Sequence, residues 1–187
     1  FAPGRNALLV LNADSRALYD EARRVYPDAH FEEIEPPVPG PPVLFVVRLA
    51  PADIASIQGL NGRYYANTRW EGEPALVRKD AGLDFDWHNA PPVPPPFSAE
   101  WTGVLHASTY GRYDFFLQSP AHAELHIGEQ VVISGTGILS ASLPLAEGNH
   151  FVRVRAASGP GRFSLAWRTP DGAIEPVPAT ALYTLPL

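Results

Sequence analysis

The feature that most constrains the fold is an alternation of apolar and polar side chains in several segments after Gly59. One segment carries Phe163, Leu165 and Trp167 at every second position, and residues 152–155 alternate valine with arginine. Because successive side chains of a β-strand point to opposite faces, a period of two gives each strand one buried and one wet face. Gly, Pro and Asn separate the segments at intervals of about 8–12 residues. Residues 59–187 are therefore predicted to form a mainly antiparallel β-sandwich.

The first 58 residues follow a different pattern, which predicts a small α/β lobe. The apolar run 7–11 is interpreted as a buried strand, and Asn12 or Asp14 is expected to cap a helix over 15–26. The helix is predicted to bury the apolar residues at helical spacing: Leu18, Ala22, Val25 and Tyr26. Strands at 30–35 and 43–49 and a short helix that begins at Pro51 follow. The predicted fold class is α+β, with domains 1–58 and 59–187.

Composition narrows the functional classes. The 14 basic and 20 acidic residues give a net charge of -6, which argues against a nucleic-acid or acidic-membrane partner. The absence of cysteine excludes a disulfide framework, a thiolate zinc site and a cysteine nucleophile. The chain has no methionine and begins at Phe1, so we expect it to be part of a longer protein. No apolar run approaches the roughly 20 residues of a membrane span, and any such segment is expected upstream.

An ordered series of landmarks runs through the second region. They are the stretches 59–65, 83–87 (Leu-Asp-Phe-Asp-Trp), 97–103, 111–117, 125–128, 145–148, 165–167 and 175–183. In this order they resemble the PA-fourteen, or protective-antigen-type, β-sandwich domain over about residues 59–185. The resemblance implies a non-catalytic module found outside the cytoplasm, for which carbohydrate is a common ligand.

The resemblance also bears on metal binding. In sugar-binding members of that family, a Ser-Asp-Asp-Gly stretch supplies two aspartates to a calcium ion that holds sugar hydroxyls. The matching stretch here is Ser119-Pro120-Ala121-His122. Pro120 and Ala121 offer no side-chain oxygen, whereas calcium requires six to eight oxygen ligands. The expectation is therefore glycan recognition without calcium, with no metal and no other cofactor.

Two stretches of the lobe carry a second resemblance. Tyr-Pro-Asp-Ala at 26–29 and Arg-Leu-Ala-Pro-Ala-Asp-Ile at 48–54 are similar to soluble tails of bacterial membrane-bound mannosyltransferase-type glycosyltransferases. This similarity implies that the parent chain is a membrane-embedded glycosyltransferase. The fragment would then be extracytoplasmic, in the periplasm or at the cell surface, and tethered through upstream segments.

The candidate carbohydrate-binding residues are Ser119, His122, Glu124, His126 and Trp70. His122, Glu124 and His126 share one strand face next to the stretch that binds calcium in relatives. Such a face can bind zinc, but a solvated strand face is the preferred interpretation. Trp70 lies in a polar stretch and is the aromatic side chain best placed for sugar stacking.

Three further patterns are interpreted conservatively. Asp84, Asp86 and His88 alternate with apolar residues, and we prefer a wet strand face to a metal site. The stretch 134–137 is rich in glycine but follows no strand-to-helix pattern, so it does not predict a phosphate loop. Residues 146–149 are expected to form a hairpin turn.

The preferred function is a non-catalytic extracytoplasmic module of a membrane-bound glycosyltransferase that recognises or positions a glycan or acceptor without calcium. The alternative is a structural or protein-interaction domain that has lost sugar binding. A calcium-dependent lectin or a hydrolase comes third, since no nucleophile elbow is present and nothing singles out a pair of catalytic carboxylates.

Overall fold

The computed structural model describes residues 6–184, which divide into two compact units at residues 57 and 58. The first unit contains β1 (Ala7–Asn12), α1 (Arg16–Val25), β2 (His30–Ile34), β3 (Leu44–Leu49) and α2 (Pro51–Ser56). Strand β3 lies between β1 and β2 and runs antiparallel to both. The predicted order of strand, helix, strand, strand and helix is confirmed.

The core of the first unit forms around Tyr19, which is fully buried. Its ring stacks on Phe45 with a centroid distance of 4.7 Å and meets Phe31 edge-on at 5.5 Å. Val47, Leu49 and Ile54 belong to the same buried cluster. Aromatic pairs in these geometries stabilise a core beyond the area they bury.

Three local predictions for this unit are wrong. Strand β1 is an edge strand with one covered face, so Leu8 and Val10 are each 56% exposed rather than buried. Ala22 and Tyr26 are buried as predicted, but in α1 Tyr19 fills the core in place of Leu18, which is 62% exposed. Neither Asn12 nor Asp14 caps α1, since a 3₁₀ turn over Ala13–Ser15 precedes the helix and no side-chain cap bond forms.

The second unit is built almost entirely from antiparallel strands. They are β4 (Leu60–Tyr65), β5 (Leu76–Asp80), β6 (Asp84–Asp86), β7 (Ser98–Ala107), β8 (Gly111–Ile127), β9 (Gln130–Leu145), β10 (Gly148–Ala157), β11 (Arg162–Arg168), β12 (Ile174–Pro176) and β13 (Leu182–Tyr183). The main path of pairing is β12-β11-β8-β10-β7-β4-β5. Strands β6, β9 and β13 pair with β11, β8 and β7, respectively. The predicted antiparallel β architecture is confirmed.

Strand β8 connects two sets of neighbours. Its first part pairs with β11 over residues 114–118, and its last part pairs with β10 over 123–127. The register against β9 shifts between Ser119 and Ala123, where extra residues interrupt the ladder. Pro120 lies in this interruption, and residues 111–127 nevertheless form one bulged strand.

The turn over residues 146–149 is not a hairpin. Strand β9 pairs with β8, whereas the following strand β10 pairs with β7 and β8. The turn therefore joins two strands that are not neighbours. Residues 134–137 lie inside β9 and form no phosphate loop.

Aromatic rings fill the centre of the second unit. Phe163 packs against both Trp87 and Trp101, with centroid distances of 4.9 and 5.1 Å and ring planes within 12° of parallel, and the two tryptophan centroids are 6.3 Å apart. Trp101 Nε1 donates a 2.8 Å hydrogen bond to Asp80 Oδ2.

Among residues 6–184, no helix is long and apolar enough to cross a membrane.

The buried carboxylate of Asp80 is the polar centre of this core. Tyr64 donates to Asp80 Oδ2 at 2.6 Å, and Arg78 Nε donates to Oδ1 at 2.8 Å. Burial and the neighbouring Asp80 carboxylate raise the pKa of Tyr64 above its ordinary value. A Cβ atom at Gly62 would lie 2.5 Å from Asp80 Oδ2, so only glycine leaves room for the carboxylate.

We predict that Asp80→Ala lowers the free energy of unfolding by about 2–4 kcal/mol, because it leaves the donors of Tyr64 and Trp101 buried without an acceptor. Urea denaturation followed by tryptophan fluorescence measures the change. Asp171→Ala, which removes an exposed carboxylate, is the control and should be nearly neutral. Equal stability of the two variants would contradict a central role for Asp80.

Candidate functional site

The structure brings three of the candidate residues together on the outer face of β8. His122 Nε2 lies 3.3 Å from Glu124 Oε1, and His126 Nε2 lies 3.0 Å from Glu124 Oε2. The His122 side chain is 49% exposed, Glu124 28% and His126 11%. The Glu124 carboxylate thus bridges two imidazoles, of which His122 is the more exposed and His126 the more buried.

Two arginines of β10 extend this face. Arg153 is the register partner of His126, and Arg155 is the register partner of Glu124. Arg153 Nη2 donates to His126 Nδ1 at 3.2 Å. Because arginine is only a donor, this contact selects the His126 tautomer with hydrogen on Nε2, which donates to Glu124. We call His122, Glu124, His126, Arg153 and Arg155 the polar strip.

Glu124 is the electrostatic centre of the polar strip. The hydrogen bond from His126 lowers the pKa of the Glu124 carboxyl, with a smaller contribution from His122. Arg155 Nε donates at 2.5 Å to the buried Glu100 on β7 rather than to Glu124. Glu124 therefore remains a negatively charged acceptor at neutral pH, with part of its surface open.

Trp70 lies beside Arg155 of the polar strip. Its backbone is in the left-handed region with φ of 56°, a conformation that a bulky residue rarely adopts. Hydrogen bonds hold it there, because its backbone N–H donates to Ser98 Oγ at 3.1 Å and its Nε1 donates to the Ala99 carbonyl at 2.9 Å. The Arg155 guanidinium lies 5.7 Å from the ring centroid, so it occupies one side of the ring.

Ser119 begins the bulge in β8 and is 2% exposed. The next two residues pack against the loop between β10 and β11: a Cβ atom at Gly159 would lie 3.3 Å from Pro120 Cβ and 3.4 Å from Ala121 Cβ. Only the fourth residue of the stretch, His122, reaches the polar strip. The bulge thus lies between the strip on one side and this loop on the other.

The same loop forms one wall of a cleft of about 410 Å³ that sequence reasoning missed. Its lining combines aromatic, proline and small residues: Trp87, His88, Pro91, Pro95, Pro96, Phe97, Ser158, Gly159 and Pro160. The sequence signal that could have indicated it is the proline-rich segment 91–96, whose composition is typical of a stiff connector. Long-range packing of this connector against residues 158–160 creates the cleft, and no local pattern encodes that contact.

Within the described part of the chain, three buried side-chain atoms have no hydrogen-bond partner: Trp87 Nε1, Ser119 Oγ and Arg153 Nε. Trp87 belongs to the cleft, Ser119 to the bulge and Arg153 to the polar strip. Each of these atoms is closed to solvent, so none of them is a contact that a ligand reaches on the surface.

The residues Asp84, Asp86 and His88 do not converge. Asp84 forms a two-bond ion pair with Arg162, at 2.8 and 2.6 Å. Asp86 instead accepts from the His88 backbone N–H at 3.1 Å and from Asn89 at 2.5 Å, closing a turn. Among residues 6–184, no group of three or more His, Asp or Glu side chains is placed to hold a metal ion.

Comparison with known proteins decides the family. A family model described as PA14 domain matches residues 56–181. This chain belongs to the PA14 domain family. The match begins at the boundary of the second unit, so the resemblance of the first unit to mannosyltransferase tails stays a prediction. A search of curated proteins gave no match.

Solved structures share the fold of the PA14 domain. An anti-sigma factor domain-containing protein is 21% identical with a TM-score of 0.64, covering 69% of this chain and 48% of its own. One from Clostridium clariflavum is also 21% identical, with a TM-score of 0.60 and coverages of 70% and 48%. The chain thus spans about half the length of these relatives. A PA14 sugar-binding domain from an RTX adhesin is 17% identical, with a TM-score of 0.58 and coverages of 69% and 99%.

The stretch 119–122 of this PA14 domain does not fit calcium. Pro120 and Ala121 have no side-chain oxygen, and the opposing loop presents Gly159 to them. Ser158 Oγ, the hydroxyl of that loop, already accepts from the Phe97 N–H at 2.8 Å. The side-chain oxygens of this stretch and loop are therefore far fewer than the six to eight oxygen ligands that calcium takes.

We predict that Glu124 titrates below the ordinary range of a glutamate, because its ionised form accepts from His126 and His122. A lowered pKa in the folded state means that these bonds stabilise the fold above the unfolded value of about 4.3, and that their contribution disappears as the pH falls through the folded pKa. NMR titration of the Glu124 carboxyl carbon measures the midpoint. His126→Phe should move the midpoint upward; a midpoint that is the same in both proteins would contradict the assignment.

Proposed function

We propose that this PA14 domain is a non-catalytic module that recognises a glycan without calcium. Its binding surface comprises the bulge at Ser119, the polar strip and the adjoining cleft, with Trp70 at the edge of the strip. The observation that carries the proposal is the polar strip, where the partly exposed Glu124 carboxylate and the half-exposed His122 imidazole lie 3.3 Å apart on the outer face of β8. These two side chains are groups that a hydroxyl-rich ligand would pair with, directly or through water.

The polar strip suits sugar hydroxyls chemically. A hydroxyl both donates and accepts, and the strip offers a carboxylate acceptor at Glu124 beside the half-exposed imidazole of His122. Hydrogen bonds to charged groups are stronger than neutral ones, which favours Glu124 as the main contact. Arg155 holds Trp70 against the sheet, so the indole contributes a wall more readily than a free stacking platform.

The cleft suits the apolar part of a ligand. Proline rings and the rings of Trp87 and Phe97 line it, while His88 adds a polar group. Binding sites commonly combine a mostly apolar wall with a few polar groups that fix orientation. The sugar-binding function of the RTX adhesin domain with the same fold is consistent with this use, at a sequence identity that shows the fold alone.

We predict that the full 187-residue chain binds a subset of a glycan array and that a calcium chelator leaves this binding unchanged. Glu124→Gln should raise the dissociation constant of the selected glycan about tenfold, as expected for one weakened charged hydrogen bond to the ligand. Glu147→Gln, in an exposed turn, is the matched control.

Each contrary result has a distinct meaning. Binding that the chelator abolishes would overturn calcium independence, whatever the variants do. If no glycan binds at millimolar concentration, the domain acts as a structural or protein-interaction module instead. Turnover of aryl glycosides or esters by the chain would refute a non-catalytic role.

We also propose that the module is extracytoplasmic and belongs to a membrane-bound glycosyltransferase. The support is the similarity of residues 26–29 and 48–54 to the soluble tails of such enzymes. The coding sequence upstream of Phe1 tests this proposal. We predict several apolar spans of about 20 residues there; a signal peptide alone would contradict it.

A further inference from the structure

Strand β9 has an open edge. It pairs with β8 along its length, and no other strand of the described residues pairs with it. An unpaired edge presents a row of backbone donors and acceptors that can accept another strand. Residues 131–145 of β9 contain no charged side chain.

This lack of charge distinguishes β9 from the other edges of the same unit. At one end of the pairing path, β5 carries Arg78, Lys79 and Asp80, and at the other end β12 is three residues long and includes Glu175 and Pro176. Charges, prolines and short length are the usual protection of edge strands. The longest open edge therefore has the least protection by charge.

The middle of β9 is self-complementary. Residues 139–143 read Leu-Ser-Ala-Ser-Leu, which is the same in both directions. In an antiparallel pair of two copies centred on Ala141, Ser140 faces Ser142 of the partner subunit and Leu139 faces Leu143 of the partner subunit. A two-fold axis requires only that these contacts be reciprocal, and the palindrome adds that like residues meet at each of them.

The local geometry limits this pairing to a defined stretch. Residues 138–145 pair with β8 without a register shift. Gly137, with φ of 92°, breaks the extended backbone before this stretch, and Pro144 lacks an N–H after it. Along residues 138–143 the side chains alternate: Leu139 and Ala141 pack against the core, whereas Ile138 is 81% exposed and Ser140 is exposed.

We propose that this chain forms a two-fold dimer in which β9 pairs antiparallel with β9 of a second copy, centred on Ala141. The sheets that contain β9 and β8 would then continue across the axis, and Leu139 and Leu143 would extend the two cores toward each other. The proposal is independent of glycan binding and places two copies of the candidate site on one particle.

Sedimentation of the full chain over a concentration series tests the association. We expect a monomer–dimer equilibrium that Ser140→Lys weakens at least about tenfold, because the change places charged side chains along the strand pair near the axis. Ile174→Lys introduces the same charge on β12, at a residue that is 57% exposed, and should leave the equilibrium unchanged. A chain that stays monomeric, or a dimer equally sensitive to both variants, would overturn the proposal.

Cross-linking tests the register separately. The chain has no cysteine, so single Ser140→Cys and Ser142→Cys variants have no background. In the proposed register residue 140 of one copy faces residue 142 of the other, whereas two residues 140 lie on a diagonal about 7–8 Å apart, too far for a disulfide. The mixture should therefore form disulfide dimers in clear excess over either variant alone. Equal yields from the single variants would refute the register centred on Ala141.

Discussion

The second unit depends on one buried charge. The Asp80 carboxylate accepts from Tyr64, Trp101 and Arg78 and thereby ties β4, β5 and β7 to a single point. Trp101 is in turn one face of the stack that holds Phe163 and Trp87. Because Trp87 also lines the cleft, the position of the candidate site follows from this polar contact inside an aromatic core. Arg78 supplies the opposite charge that makes burial of the carboxylate tolerable.

The bulge in β8 creates the candidate site beside this aromatic core. A strand that continued without a bulge would keep one set of neighbours and one alternating face. The shift between Ser119 and Ala123 instead directs the first part of β8 to β11 and the last part to β10. Pro120 and Ala121 meet the loop at Gly159, while His122 starts the polar strip. Two surfaces of different chemistry, one apolar and one charged, therefore adjoin the same four residues.

Patterns with a short range predicted the fold well. Alternation located the strands of the second unit, and helical spacing located α1, because both patterns depend only on which side of an element is covered. Leu8 and Leu18 show the limit: their exposure depends on which strand is central and how the helix is rotated, and tertiary contacts decide both. At the site, the proximity of His122, Glu124 and His126 followed from a period of two. Their link to Arg153, and the cleft between residues 87–97 and 158–160, depend on contacts between distant segments that one sequence does not display.

The packing of Pro120 against Gly159 has a consequence for how this domain can change. Pro120→Asp with Ala121→Asp would introduce two carboxylates, but they would face a loop whose glycines offer no side-chain oxygen and whose serine already accepts from the Phe97 N–H. Most of the coordination shell of a hard cation would still be missing. Carboxylates in the bulge alone would therefore supply only one side of a metal site, and the other side would need replacements in the loop between β10 and β11.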